Sequence, residues 1–181
     1  LAVFLASLKQ FVVWRQALLY FSLTVSMYGF QLWLPQIIKS FDHVDDSTTA
    51  LLSAIPALFQ ALGMIIIAGN SDRIAERKFH VAAAAILTCF GLALAAFGPG
   101  SVLKMAGLCL AAFGIWGSVR AEHHSSGIAF INSVGNLGGF AGPYIVGAIT
   151  QVSGGGDFAG ALLALCFASV LACGLAVTSR T

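Results

Sequence analysis

Long apolar stretches alternate along this chain with short intervals into which nearly all of the charge is gathered. A membrane-crossing helix needs about 20 mostly apolar residues. By that measure the pattern predicts six crossings, over 15–38, 48–69, 79–97, 102–119, 127–152 and 158–177, the fourth being the shortest. Between them lie Lys39 to Asp46, Asp72 to Lys78, Arg120 to His124, and Asp157. Residues 1–14, apolar but interrupted by Lys9 and Gln10, read as the end of a linker lying in the interface before the first crossing. The expected fold is an all-α polytopic membrane protein, a bundle of six transmembrane helices.

Composition narrows the reading further. A chain of 181 residues that is 59% hydrophobic and only 9% charged cannot hide its apolar side chains inside one small water-soluble core. Its solvent is lipid. A net charge of +2, scattered along the chain, excludes nucleic acid as a partner, since no face gathers the Lys and Arg that phosphate neutralisation requires. Leu1 to Leu8 lacks the basic start and cleavage site of a secretory signal, and the chain reads as one entered partway along.

The few charges report orientation. Lys9, Arg15, Arg73, Arg77, Lys78, Arg120 and Arg180 fall on one side of the membrane, against Lys39 and Lys104 on the other. The positive-inside rule makes the first side cytoplasmic, with both termini in the cytosol of a cell whose cytoplasmic (inner) membrane holds the protein. Asp42, Asp45 and Asp46 then face outward, with Asp46 or Ser47 placed to cap the second crossing.

Candidate chemistry lies inside the helices. Asn132 and Asn136 sit one turn apart in the fifth crossing, beside the overlapping pairs Gly135/Gly139 and Gly138/Gly142. Such glycines let a second backbone approach closely, and amides in a dry place must bond to another helix or to a polar ligand. In the first crossing Tyr28 and Gln31 share a face suited to lining a cavity, while Trp33 suits either that cavity or the interfacial belt. Pro35, Pro56 and Pro143 each release the carbonyl four residues earlier, those of Gln31, Leu52 and Gly139, and are the expected kinks. No crossing carries Asp, Glu, Lys, Arg or His at its centre.

Several chemistries find no support. Cys89, Cys109, Cys166 and Cys173 all fall in apolar runs without a CxxC pair, and read as packing residues. His123 and His124 beside Glu122 point in different directions along one backbone and make no metal site. No nucleophile–base pair or phosphate loop appears, so no enzyme activity and no cofactor are expected.

The stretch from Ala68 through Asp72, Arg73, Arg77 and Lys78 resembles the signature loop of the major facilitator superfamily, with Ala68 and Ala75 standing where that pattern prefers glycine. Together with the run from Trp33 to Phe41 and the run from Ile131 to Phe140, it makes the chain similar to the anion:cation symporter family, in particular to its tartrate, phthalate and aromatic-acid permeases. The resemblance implies the C-terminal half of a twelve-helix transporter, helices seven to twelve, that moves small organic anions by alternating access. It implies substrate contacts from Asn132, Asn136, Tyr28 and Gln31, and a cytoplasmic gate built on Asp72, Arg73, Arg77 and Lys78. Proton coupling is expected only in a complete transporter. The implied partners are the lipid bilayer, a small organic anion, and either an N-terminal six-helix bundle or a second copy of this chain. A truncated protein without transport activity is the alternative. Residues 117–127 depart from the family pattern, which implies a shortened tenth helix.

Overall fold

The computed structural model describes residues 10–42, 45–121 and 128–178. The helices are α1 (Phe11–Asp42), α2 (Asp46–Gly63), α3 (Gly69–Ile74), α4 (Lys78–Phe97), α5 (Gly100–Ala121), α6 (Ile128–Asn136), α7 (Gly138–Val152) and α8 (Ala159–Val177). A π-helical turn, Met64–Ala68, joins α2 to α3. Five continuous segments are long and apolar enough to cross a membrane: Phe11–Phe41, Asp46–Ile74, Lys78–Phe97, Gly100–Ser118 and Ala159–Val177. The sixth expected crossing is present as α6 followed by α7, separated at Leu137. The chain is an all-α polytopic membrane bundle.

Boundaries differ from expectation where side-chain packing outweighs hydropathy. The first crossing starts at Phe11 rather than residue 15, because Val13 and Ala17 are buried against Ile131 of α6. The fourth runs from Gly100 to Ala121, longer than the 102–119 expected and not shortened as far as Ala121. The cap of α2 is Asp45, not Asp46 or Ser47. Asp45 is extended, and its carboxylate accepts from the Ser47 and Thr48 amides at 3.1 and 3.2 Å and from the Thr48 hydroxyl at 2.6 Å. The Thr48 hydroxyl above all, with these amides, holds the Asp45 carboxyl below its ordinary value. Asp46 is drawn instead into an ion pair with Lys39.

α1 is the hub. It packs on α6, α7 and α8, while α4 is held between α5 and α8, and α2 lies along α5. Phe30, Ile37, Leu92, Leu108, Ile115, Leu162 and Leu165 are fully buried between them. Lipid tails are as apolar as these residues, so close packing and small side chains supply much of the association. Gly91 of α4 and Gly107 of α5 face one another: a Cβ on either would stand 2.7 Å from the carbonyl oxygen of the other. Cys89 and Cys166, assigned to packing from sequence, form a disulfide between α4 and α8, whose backbones approach to 4.6 Å at those Cα atoms. Cys109 is buried and free, and Cys173 is half-buried and free. Phe90, Phe97, Phe167 and Val170 point outward, as lipid-facing positions should.

Candidate functional site

The glycine-rich crossing is pressed against α1 along its whole length. Ascending both helices together, Tyr20 covers Gly135, Thr24 and Phe21 meet Gly138, Tyr28 meets Gly139, Val25 and Gly29 meet Gly142, and Trp33 meets Gly147. The two helices therefore run parallel, and the small residues act as expected, by admitting a neighbour. Thr24 Oγ1 donates to the Gly135 carbonyl, and Trp33 Nε1 donates to the Pro143 carbonyl at 3.1 Å. Trp33 is thus a half-buried link between helices rather than a free belt residue.

Beside this seam the four expected substrate contacts are all exposed. The Tyr28 ring lies 3.1 Å from where a Gly139 Cβ would stand. Asn136 is three residues before Gly139 on the same continuous track, and Gln31 is one turn beyond Tyr28, so these three occupy neighbouring levels. Asn132 lies nearer the N-terminal end of this crossing, about 10 Å along the axis from Gly139 at the helical rise. Among the described residues, neither asparagine side chain has a hydrogen-bond partner.

Helical structure runs through Pro35, Pro56 and Pro143. The interruptions fall elsewhere, at Met64–Ala68 and at Leu137, whose amide closes a tight turn on the Val134 carbonyl at 3.2 Å. Consecutive glycines 138 and 139 after Leu137 carry the lowest helix propensity short of proline. Gly63 and Gly69 likewise bracket the π turn, and such turns recur at functional sites.

At the charged end, α3 stops at Ala75, which has φ of 55°. This is where the signature pattern prefers glycine. A left-handed turn is required there, and alanine adopts it at a cost of about 1–2 kcal/mol. Asp72 pairs with Arg77 at 3.8 Å, but both are largely exposed, so the pair is weak and screened. Lys78 lies over the Phe79 ring at 5.1 Å. Arg73 turns to a cleft between the α2–α3 segment and α4. The four gate candidates thus share a loop without forming one cluster.

Sequence reading missed the clasp that closes this loop. Glu76 accepts from the Phe79 amide at 3.0 Å and from His80 Nδ1 at 3.1 Å, and Asn70 meets His80 Nε2 at 3.0 Å. Ser71, fully buried, donates to the Glu76 carbonyl. Burial opposes ionisation of Glu76, yet these hydrogen bonds and the charges of His80 and Lys78 lower its carboxyl below the ordinary value. The spacing of Glu76 and His80, four residues apart across a helix start, was the available signal. No group of three metal-ligating side chains occurs among the described residues, and Glu122, His123 and His124 lie outside them.

No protein-family model matches the chain. Relatives do. A quinolone resistance transporter of Acinetobacter baumannii is 34% identical over 161 residues, 83% of this chain. A protein of Agrobacterium vitis named for tartrate transport is 35% identical over 169 residues, 87% of this chain. The metabolite transport protein NicT of Pseudomonas putida is 28% identical over 172 residues, 86% of this chain. These relatives bear out the resemblance to a segment of a major facilitator transporter. The chain covers 37%, 38% and 39% of those relatives' lengths, respectively. The relatives are named as transporters, which points to movement of solutes across a membrane rather than to catalysis.

Proposed function

We propose that this chain forms the C-terminal six-helix lobe of a proton-coupled carboxylate transporter in the cytoplasmic membrane, and that it works by alternating access against a second lobe. The observation that carries the reading is the exposed polar face of Tyr28, Gln31, Asn132 and Asn136 on crossings that are otherwise apolar. Leaving amides in hydrocarbon is unfavourable, whereas a cavity shared with a second lobe gives them water and substrate. Carboxylate is the favoured cargo because amide N–H and phenol O–H groups donate to it, and because two relatives from Agrobacterium vitis are named for tartrate transport. The second lobe supplies the buried cation and the proton-carrying acid, since these crossing centres hold neither. Both termini and the Asp72–Lys78 loop lie in the cytosol by the charge bias, where that loop gates the inner mouth.

The test is uptake of labelled tartrate, sugar acids and aromatic acids into proteoliposomes carrying the product of the whole reading frame, with the lumen more alkaline than the outside. Accumulation that collapses when the gradient is dissipated is expected. Asn136→Ala should raise the half-saturating concentration about tenfold, the worth of one hydrogen bond to a charged group. Failure of all three substrate classes to accumulate contradicts the reading, and an unchanged half-saturation in the folded variant removes Asn136 from the site.

A further inference from the structure

The cleft between the π turn with α3 on one side and α4 on the other has a volume of about 760 Å³ and shares no residue with the face just described. Its walls are Ile65, Ile66 and Leu87, and its polar lip is Asn70, Arg73 and His80. The π turn, with its wider winding, presents Ile65 and Ile66 outward, where they are 67% and 55% exposed. A purely lipid-packing groove has no use for a cation at its mouth, and a site for a soluble anion has no use for an isoleucine wall.

We infer that this cleft seats one anionic phospholipid, its phosphate at Arg73 and Asn70 and an acyl chain along Ile65, Ile66 and Leu87. Arg73 supplies the charge, and its planar fork suits phosphate oxygens. The nearby acids do not oppose it. Glu76 is tied to His80 Nδ1 and the Phe79 amide, away from His80 Nε2, and Asp72 pairs with Arg77. Asn70 Nδ2 meets His80 Nε2 with one of its two N–H groups, which leaves the other for a phosphate. Basic pockets between helices near a membrane surface recognise lipid headgroups in this way.

The experiment is native mass spectrometry of the detergent-purified protein titrated with dihexanoyl and dioctanoyl phosphatidylglycerol, with phosphatidylcholine of the same chain lengths, and with inorganic phosphate. One phosphatidylglycerol per chain should be retained, more tightly for the longer chain and in preference to phosphatidylcholine. Arg73→Gln should weaken it about tenfold, as loss of a charge-assisted contact does, while Lys39→Gln at the opposite end of the bundle should not. Circular dichroism confirms that both variants keep their helices, and the chain-length dependence of the unsubstituted protein tests the apolar wall without any substitution. Equal binding of both headgroups, equal weakening by Lys39→Gln, or no gain from the longer chain overturns the proposal. Full displacement by inorganic phosphate overturns it too, and identifies a simple anion site instead.

Discussion

Gly29 of α1 and Gly142 of α7 meet backbone to backbone: a Cβ on Gly142 would stand 3.0 Å from the Gly29 nitrogen, and a Cβ on Gly29 3.3 Å from the Gly142 carbonyl carbon. Gly142 cannot accept a methyl group unless a helix moves, because the Val25 carbonyl stands in the way, whereas at Gly29 it is the Leu165 side chain that must shift. Gly142→Ala should therefore destabilise the bundle by about 1–3 kcal/mol, the usual cost of overpacking. Gly174 in α8 has nothing within 4 Å of its would-be Cβ, so Gly174→Ala should leave stability unchanged or raise it by up to about 1 kcal/mol through helix propensity. Thermal unfolding of both variants in detergent compares them directly, and equal losses would show that the seam is not tight.

The Trp33 indole ties the same two helices together one level further out, through its bond to the Pro143 carbonyl. Trp33→Phe keeps an aromatic ring beside Phe158 and removes only the donor. A loss of about 0.6 kcal/mol is expected, the mean for interhelical hydrogen bonds in membranes. Equilibrium unfolding in mixed micelles reads it, and no loss would leave Trp33 as packing surface alone.

Asp45 gives a pH signature at the other end. Its carboxyl is held below the ordinary value of 3.8 by the Thr48 hydroxyl and the Ser47 and Thr48 amides. A depressed folded value means that the ionised cap stabilises the fold fully above pH 3.8 and loses that contribution as pH falls through the folded value. Asp45→Ala should melt below the unsubstituted protein at pH 7, and the gap should shrink as pH is lowered past 3.8. A gap that is constant with pH would mean that the carboxylate charge plays no part.

Much of the bundle was legible because hydrocarbon imposes one rule on long apolar runs, and all six expected crossings have helical counterparts. The glycine pairs around Gly138 and Gly142 were legible for a similar reason, since few uses of small residues exist in a dry helix. The cap at Asp45 was missed by one residue, because three neighbours, Asp45, Asp46 and Ser47, can all accept amide hydrogen bonds and only the Lys39–Asp46 pair decides among them. The break at Leu137 was hidden beside Pro143, because the two glycines that follow it read equally as a packing seam, which they also form. The disulfide joins residues 77 apart in sequence. Nothing local announces that pairing. Of the candidate site, the residue types and the helix faces could be read, but not that Asn132 sits a level below the other three, which follows from the parallel pairing of α1 with α6 and α7.

The most direct test of a shared substrate cavity is cysteine labelling of Asn136→Cys in the whole-frame transporter with every native cysteine replaced by alanine. A membrane-impermeant maleimide should label it in right-side-out or inverted vesicles, tartrate or another transported carboxylate should protect it, and Phe167→Cys on the outward face of α8 should stay unlabelled. An Asn136→Cys that resists the reagent from both sides, or that is labelled equally with and without every carboxylate, would contradict the account.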